Sequence, residues 1–443
     1  MNNYQAPTSM INIQESDALK TNDRFQVECE VNKSDKNIKT QDAATIQKID
    51  FLFTQIKQAN VDTEALVMDI YSLSLANVYK TSIIRYFDHN FPFLPFLNII
   101  LSPPSPECQS YAFICLGSAC HAESFPFEKF ANENALTFFC QALCSEDPII
   151  VDSSLQLLSE ITKKSIESRN FLLQNSIIPK LKSMKLTFSV AELLESLCSL
   201  FPPPPPEFIP DITQFIEVLI DGSETSIFEL GFSSLLSLLT NHAEGVYADQ
   251  FQTYLVPIFL SETTSLVPLA LKILMLVHNP QPDFAITLLK ILAGTDFPNL
   301  SNNPTVLFLI AQSFAHFQPI WRPIIQDQPF VLLKDKIGNS RFKVDIEIVQ
   351  TMILYYDQSH LDDLVFFNTL VRFSDTIEIG CKCMEQILLM IQSGPRQDIF
   401  EKMLDKLEQS TDTFVTLSNG EDEDMAIRAE SILNEIEKAK AIV

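Results

Sequence analysis

The chain has 443 residues, 46% of them hydrophobic, which suffices for two or three ordinary domains or one long repeat array. Its net charge of −25 argues against nucleic acid and against an anionic membrane surface as partners, because both attract basic proteins. The acidity fits a basic protein partner, and it equally fits a charge that only keeps the protein dissolved. With nine glycines, the chain has little material for a Gly-rich phosphate-binding loop.

The amino-terminal residues show no signal peptide, because no basic stretch is followed by an apolar run. The most apolar runs, residues 91–101 and 266–277, are shorter than the ~18 residues that a membrane-spanning helix needs. Nine cysteines, an odd number, are typical of free thiols in a reducing compartment. We therefore expect a protein of the cytoplasm or the nucleus that binds neither membranes nor nucleic acid.

The hydrophobic pattern divides the chain into three parts. Residues 1–41 are polar and aperiodic, which predicts a disordered tail. Asp42 is a candidate N-cap for the first helix, and a helical array is predicted over residues 42–410. Residues 411–443 are predicted to form an acidic loop and a helix that covers the end of the array. The covering residues are Ile427, Ile432, Leu433 and Ile436.

Residues 208–241 show the clearest pair of helices. Apolar residues recur with helical spacing on both sides of a turn at Asp221, Gly222 and Ser223. Ser223 stands in the position of an N-cap for the second helix. Neither helix can bury its apolar face alone, so the pair has to pack against neighbouring pairs.

The second helix of this pair recurs along the chain. With Leu235 as its anchor, an equivalent apolar residue returns about every 39 residues, except in the last interval, which is about 31. The anchors are Leu116, Leu158, Leu197, Leu235, Leu274, Phe314, Ile353 and Met384. Positions seven and four before each anchor are mostly apolar or small, and position nineteen before it marks the preceding helix. This period predicts an all-α solenoid of about eight units.

Residues 168–181, with the sequence SRNFLLQNSIIPKL, resemble the armadillo/HEAT class. In armadillo repeats a short first helix leads into a G-hydrophobic-hydrophobic-P-x-L pattern, and Ser176 stands here where glycine is usual. The resemblance covers about residues 80–410. It implies a right-handed α-solenoid in which the last helix of each repeat lines a concave, protein-binding groove.

That resemblance places a binding surface on the anchor helices. Positions six and two before each anchor are one turn apart and share a helix face. Many of them are acidic or polar, which predicts a groove that takes a basic protein segment. The predicted groove residues are Asp152, Gln156, Glu195, Glu229, Ser233, Glu347, Thr351 and Glu378. The alternative is an ordinary solvated helix face.

An acidic groove of this kind is similar to that of the importin-α class, which binds basic signals. That class reads them with a ladder of Trp and Asn, whereas this chain has one Trp, Trp321, outside the anchor helices. The amino-terminal residues also lack the Arg/Lys-rich segment with which that class binds its carrier. We therefore expect a non-enzymatic scaffold or adaptor, with a divergent nuclear-transport adaptor as the alternative.

Catalytic signatures do not occur in the sequence. There is no phosphate loop, nucleophile elbow, dinucleotide fingerprint or H-E-x-x-H motif, so we expect neither enzyme activity nor a cofactor. Five cysteines fall between Cys108 and Cys144 inclusive. Cys140 and Cys144 share a helix face, and with Cys120 and His121 they could form a zinc or enzyme site. The spacing matches no familiar zinc module, so core thiols are expected and a metal site is not.

A phenylalanine followed by five prolines is the sharpest short motif. The candidate ligand residues are Phe201, Pro202, Pro203, Pro204 and Pro205, with Glu207 close behind. Consecutive prolines form a polyproline II helix. The motif resembles the ligands of EVH1 domains, which bind such helices in aromatic grooves. The alternative is a rigid spacer between two helical pairs, with Phe201 packed into the core.

Overall fold

The computed structural model of the chain describes residues 35–58, 62–77, 93–120, 133–222, 224–260, 265–294, 299–338 and 342–442. Within these ranges the fold is all-α, with 23 α-helices and no strand, which confirms the predicted class. No helix of the same ranges has both the length and the hydrophobicity to cross a membrane.

Contacts between residues divide the chain into two compact units, residues 1–197 and 198–443. The helices of the first unit are α1 Asp35–Gln55, α2 Thr63–Asn77, α3 Phe93–Leu101, α4 Pro106–Cys120, α5 Glu133–Ala142, α6 Pro148–Thr162, α7 Ile166–Gln174 and α8 Ile177–Ser183. Helix α9, Phe188–Ser199, reaches the boundary between the units.

The second unit begins with a 3-10 turn at Pro206–Phe208 and continues with fourteen α-helices. These are α10 Ile209–Ile220, α11 Thr225–Thr240, α12 Gln252–Leu260, α13 Val267–Leu274, α14 Pro282–Ala293, α15 Pro304–His316, α16 Gln318–Ile325, α17 Gln328–Lys334, α18 Phe342–Tyr355, α19 Leu364–Phe373, α20 Gly380–Gln392, α21 Gln397–Gln409, α22 Thr411–Ser418 and α23 Glu423–Ile442.

Local sequence explains where several of these helices begin. Helix α6 starts at Pro148, whose missing N–H is not needed in a first turn. Just before it, Asp147 accepts a hydrogen bond from the backbone N of Ile149 at 2.9 Å. Asn303 caps α15 in the same way, accepting from the backbone N of Thr305 at 3.0 Å. Such caps satisfy N–H groups that have no partner within the helix.

The armadillo-like stretch has an unusual backbone at its centre. Ser176 separates α7 from α8 and has a φ of 59° and a ψ of 38°, which is the left-handed region. Residues with a β-carbon are rare there, whereas glycine enters it without cost. Armadillo repeats usually have a glycine at the position of Ser176, and the backbone geometry at this position also favours glycine.

Most of the predicted anchors lie in the core. The fully buried anchors are Leu116, Leu158, Leu197, Leu235, Leu274, Phe314 and Met384, each with 0% exposure. Ile353 is half-buried, and its neighbour Met352 takes the buried position in α18. All positions four before the anchors are buried as well, including Gly231 and Gly380. A hydrophobic stripe at helical spacing thus corresponds to the buried side of these helices.

The predicted positions seven and nineteen residues before the anchor are not buried in the last repeat, where the interval between anchors is shortest. Ile377, seven before Met384, is 85% exposed, and Val365, nineteen before it, is 59% exposed. Both were predicted as apolar core positions, and both predictions are wrong. A shorter interval changes the loop between the two helices, so offsets taken from the longer copies no longer apply.

Helices of the second unit contact one another in chain order. The anchor helices form one series, in which α11 contacts α13, α13 contacts α15, α15 contacts α18 and α18 contacts α20. Each of them also packs on a preceding helix, as α10 does on α11, α12 on α13 and α19 on α20. In the first unit, α4 contacts α6, and the Ser159 and Ser196 hydroxyls of α6 and α9 lie 2.6 Å apart.

The ends of the predicted array differ in detail from the sequence prediction. Helix α1 begins at Asp35, inside the predicted tail, and Asp42 lies within the helix rather than at its cap. Nothing in this stretch stops a helix from extending, because it contains neither Gly nor Pro. The residues before Asp35 lie outside the described ranges. Ser223, the predicted N-cap of α11, also lies outside the described ranges. In the structure, Glu224 occupies the N-cap position of α11.

The C-terminal helix covers its neighbours with only part of its predicted face. Ile432 and Ile436 of α23 are buried and Leu433 is half-buried, whereas Ile427 is 55% exposed. The prediction for Ile427 is wrong, because α23 turns that residue towards solvent. On the same helix, the guanidinium of Arg428 donates to Glu385 of α20 at 2.7 Å through Nε. Helix α23 therefore packs on α20 through both apolar and ionic contacts.

Candidate partner-binding surface

In the first unit, two predicted groove residues form a polar patch on α6. Gln156 is exposed and donates through Nε2 to Oδ2 of the half-buried Asp152 at 3.0 Å. Glu195 on α9 is half-buried and is already engaged with another group. All three side chains reach the surface of this unit, although only Gln156 is mainly exposed.

A lysine compensates two other acids of this unit. Lys163 donates to Glu160 at 2.9 Å and to Glu192 of α9 at 3.0 Å. Burial alone would lower the pKa of Lys163. The hydrogen bonds and charges of the two carboxylates raise the pKa by more than burial lowers it, so the pKa lies above the ordinary value. Acidity near the end of α6 is therefore partly neutralised within the protein itself.

In the second unit, Glu229 of α11 is exposed and Ser233, one turn later, is half-buried. Glu378 is exposed just before α20. These three residues lie at the surface, as a binding role requires. Lys272 occupies an equivalent position on α13 and is half-buried, so the face formed by the anchor helices also carries positive charge.

Glu347 of α18 lies between the two neighbouring anchor helices. Burial raises the pKa of this carboxyl, while a hydrogen bond with Gln312 of α15 and the charge of Lys382 of α20 act in the opposite direction. Side chains from three consecutive anchor helices, α15, α18 and α20, thus interact at this point. The acid there is half-buried and already has partners, so it offers little uncompensated charge.

Thr351 does not belong to the surface. It is 0% exposed, and its hydroxyl lies 2.9 Å from the carbonyl oxygens of both Ala311 and Glu347. The hydroxyl can therefore donate its hydrogen bond inside the protein, either to Glu347 of its own helix or to Ala311 of the adjacent helix α15. The prediction of Thr351 as a groove residue is wrong, because a short β-branched side chain with such a partner packs well in the core.

A larger acidic surface lies on residues 207–249, which we call the acidic hairpin. Its exposed acids are Glu207, Asp211, Glu217, Asp221, Glu224, Glu229 and Glu244. Residues 186–271 contain neither Lys nor Arg, so no basic residue of this stretch can neutralise them. Most of these acids precede α11 and were not among the predicted site residues. The i, i+4 spacing of Glu217 and Asp221 was the available signal for them.

The charges of Glu217 and Asp221 act on Tyr254 of α12. Burial raises the pKa of Tyr254, and the negative charges of Asp221 and Glu217 raise it further. The two carboxylates therefore lie close enough to Tyr254 to act on its phenol.

A shallow groove opens on the acidic hairpin between α10 and the turn that follows α11. Its residues are Pro206, Ile209, Pro210, Thr213, Gln214, Glu217, Glu244 and Gly245. The groove thus has an apolar part and a carboxylate on each of two segments. Within the part of the chain that the structure describes, neither Glu217 nor Glu244 forms an ion pair.

The proline run is fixed at the surface of the second unit. Phe201 is 72% exposed, so the alternative in which its ring packs into the core is wrong. Pro202 is exposed, Pro203 and Pro205 are half-buried, and Pro204 is buried. The Phe201–Pro202 peptide bond is cis. Pro205 has a φ of −55° and a ψ of 142°, close to polyproline II geometry.

The cysteines between Cys108 and Cys144, considered above as an alternative zinc site, differ in solvent exposure. Cys108 and Cys115 are buried, Cys140 is half-buried and Cys144 is exposed. Burial raises the pKa of Cys108 to about 11, with Glu64 and Asp62 adding to the effect. Across the described ranges, no three His, Cys, Asp or Glu residues come together as metal ligands. His121 and the side chain of Cys120 lie outside those ranges.

Comparison with known proteins gives a fold likeness and no family. No family model matches the chain, and no curated protein matches its sequence. An engineered protein solved by the Northeast Structural Genomics Consortium aligns with a TM-score of 0.57 and 14% identity, covering 89% of this chain and 99% of its own. A second engineered protein from that consortium aligns with a TM-score of 0.33 and 14% identity, covering 59% and 96%. The first likeness concerns the helical fold alone, and the second is too low to carry an argument.

Proposed function

We propose that the protein is a non-enzymatic scaffold or adaptor, built as an armadillo/HEAT-like α-solenoid, that binds a basic segment of a partner protein. The groove of the acidic hairpin is the main contact in this proposal. It differs from the surface expected from the sequence, which lay along the anchor helices. The observation that carries the proposal is the exposed acidity of residues 207–249, a stretch that contains neither Lys nor Arg.

The arrangement of helices in the second unit supports the repeat architecture. Anchor residues return about every 39 positions, and their helices contact one another in chain order. Each repeat of a solenoid buries one face on the repeat before it and one on the repeat after it. Fully buried anchors on helices that contact in series are what this architecture requires.

The balance of charge favours the hairpin over the face of the anchor helices. On that face, Lys272 and Lys382 accompany Glu347, whose carboxyl is half-buried. On the acidic hairpin, exposed carboxylates have no Lys or Arg nearby in the sequence. A pair of unit charges 4 Å apart gains about 1 kcal/mol in water, so several exposed carboxylates together attract a cation strongly. They also accelerate its approach at low ionic strength.

The groove residues match the two parts of a lysine or arginine side chain. The apolar stem of such a side chain packs on apolar surface while its charged end stays in water. Pro206, Ile209 and Pro210 provide the apolar surface, and Glu217 and Glu244 provide carboxylates for the charged end. One basic residue of a partner segment can therefore occupy the groove, with neighbouring basic residues near the other acids of the hairpin.

Charge reversal tests this proposal. Glu217→Lys/Glu244→Lys should weaken binding of a fluorescein-labelled, Lys- and Arg-rich peptide by about 10-fold or more, and wild-type binding should fall with added salt. Glu401→Lys/Asp405→Lys is the matched control, because it changes the net charge equally at exposed acids of α21. If both double variants lose the same affinity, net charge alone governs binding and the groove has no special role. A third variant, Glu378→Lys, reports on the anchor-helix face outside the acidic hairpin.

A further inference from the structure

The exposed phenylalanine of the proline run has no role in the proposed binding of basic segments. Phe201 is 72% exposed, more than any other phenylalanine with a described side chain. A large aromatic ring in water is unfavourable for stability, since its burial is worth about 1.5–3 kcal/mol. We infer that residues 201–207 form a docking ligand for an EVH1-type domain, a class whose ligands this motif resembles and whose aromatic groove binds polyproline segments.

The segment is held in place from both sides. Before it, Nδ2 of Asn241 lies 3.4 Å from the carbonyl oxygen of Cys198 and 3.5 Å from that of Leu200. Within it, Pro204 is buried in the structure. After it, the 3-10 turn at Pro206–Phe208 leads directly into α10. A ligand that is already ordered loses less conformational entropy on binding than a flexible one.

The pattern of exposure along the prolines leaves room for a partner. A polyproline II helix has three residues per turn, so residues three apart share an edge. One edge carries Phe201, Pro204 and Glu207, of which Pro204 is buried and the two ends are exposed. The other two edges carry Pro202 with Pro205 and Pro203 with Pro206, and all four are exposed or half-buried. Two of the three edges are therefore accessible to an aromatic groove.

The chemistry of the flanking residues selects the partner class. SH3 and WW domains also bind proline-rich segments in aromatic grooves, so the prolines alone do not select the class of partner. Here the anchor is an aromatic ring, and large aromatic side chains are enriched among residues that dominate binding energy. Glu207 is exposed directly after the prolines, and the acidic hairpin begins there. The binding domain should therefore combine an aromatic groove with a basic rim.

The test is an isothermal titration calorimetry experiment in which a recombinant EVH1 domain is titrated into the full chain. We expect saturable one-to-one binding that Phe201→Ala weakens by at least about 30-fold, the loss typical of a dominant interface residue. Pro202→Ala should also weaken it. Phe188→Ala is the matched control, because Phe188 is 49% exposed and lies outside the motif. Circular dichroism of each variant verifies that the helical content is unchanged.

Four outcomes would overturn the inference. The first is no binding of the EVH1 domain to the full chain at any concentration tested. The second is equal loss of affinity in Phe201→Ala and Phe188→Ala. The third is binding of an SH3 or WW domain in place of EVH1. A synthetic peptide of residues 199–208 is run in parallel, and binding of that peptide without binding of the folded chain also contradicts the inference.

Discussion

Gly231 of α11 approaches Leu219 of α10 so closely that a β-carbon on Gly231 would lie 2.9 Å from the β-carbon of Leu219. It would also lie 3.2 Å from Cγ1 of Ile220. Both neighbours are buried, at 0% and 3% exposure, so neither can move into solvent. The absence of a side chain at Gly231 therefore sets how closely the two helices of the acidic hairpin pack.

Gly231→Ala should lower the free energy of unfolding by about 1–3 kcal/mol, the usual cost of overpacking a core. Gly117→Ala is the matched control, because its β-carbon would lie at ordinary contact distance from Leu157, 3.8 Å from Cα and 4.0 Å from the backbone N. Alanine in a helix is otherwise favoured over glycine by about 0.5–1 kcal/mol, so that variant should be neutral or more stable. Urea denaturation measures both values. Equal effects of the two substitutions would show that the close approach at Leu219 is unimportant.

Ser176→Gly should raise the free energy of unfolding by about 1 kcal/mol, because Ser176 has a φ of 59°. Ser237→Gly, within α11, is the opposite control and should lower the free energy of unfolding by about 0.5 kcal/mol, because glycine has a lower helix propensity than serine. Thermal unfolding followed by circular dichroism distinguishes the two. A loss of stability in Ser176→Gly would contradict the left-handed backbone between α7 and α8.

Two isoleucines of α23 separate its buried side from its exposed side. Ile432→Asp should cost about 3 kcal/mol or more, because Ile432 is 0% exposed and a buried charge without a partner is unfavourable. Ile427→Asp should change stability by no more than about 0.5 kcal/mol, because Ile427 is 55% exposed. Chemical denaturation compares them in one experiment. Comparable losses would mean that α23 packs with a different face.

Glu347→Gln should stabilise the protein at neutral pH. Burial raises the pKa of Glu347 in the folded state, so the folded protein binds this proton more tightly than the unfolded chain does. The free energy of unfolding of the wild type is therefore highest below the unfolded pKa of about 4.3, and it falls as the pH rises through the folded pKa. Gln carries no charge at any pH, so its advantage should be present at pH 7 and disappear below about pH 4.

The control for that measurement is Glu378→Gln, which removes an exposed carboxylate of the same predicted groove. It should shift the free energy of unfolding by no more than about 0.5 kcal/mol. Urea denaturation at a series of pH values yields both curves. A Glu347→Gln variant that is less stable than wild type at pH 7 would indicate that Gln312 and Lys382 outweigh the cost of burial.

The repeating core could be predicted from the sequence, because burial follows hydrophobic spacing along a helix. Leu235 and the position four before it, Gly231, are both buried as expected. The prediction failed at Ile377, where a shorter interval between anchors changes the register. Spacing within one helix is a local property, whereas the offset between helices depends on each loop.

The surface could be predicted less well. The sequence suggested Thr351 as a groove residue, but its burial depends on the carbonyl of Ala311 on another helix, which no local pattern reveals. Phe201 was expected in the core by one interpretation, although only the folded segment determines where its ring points. The carboxylates of Glu217 and Asp221 form an i, i+4 pair in the sequence, but they lie outside the repeating positions of the anchor helices.

Carboxylate footprinting tests the central claim, that the acidic hairpin binds a basic segment, most directly. Exposed acids of the full chain are labelled with a carbodiimide and an amine, with and without the Lys- and Arg-rich peptide, and quantified by mass spectrometry. The account predicts that the peptide protects Glu217 and Glu244, while the equally exposed Glu401 and Asp405 stay labelled. Equal protection of all four residues, or protection of Glu401 and Asp405 alone, would contradict it.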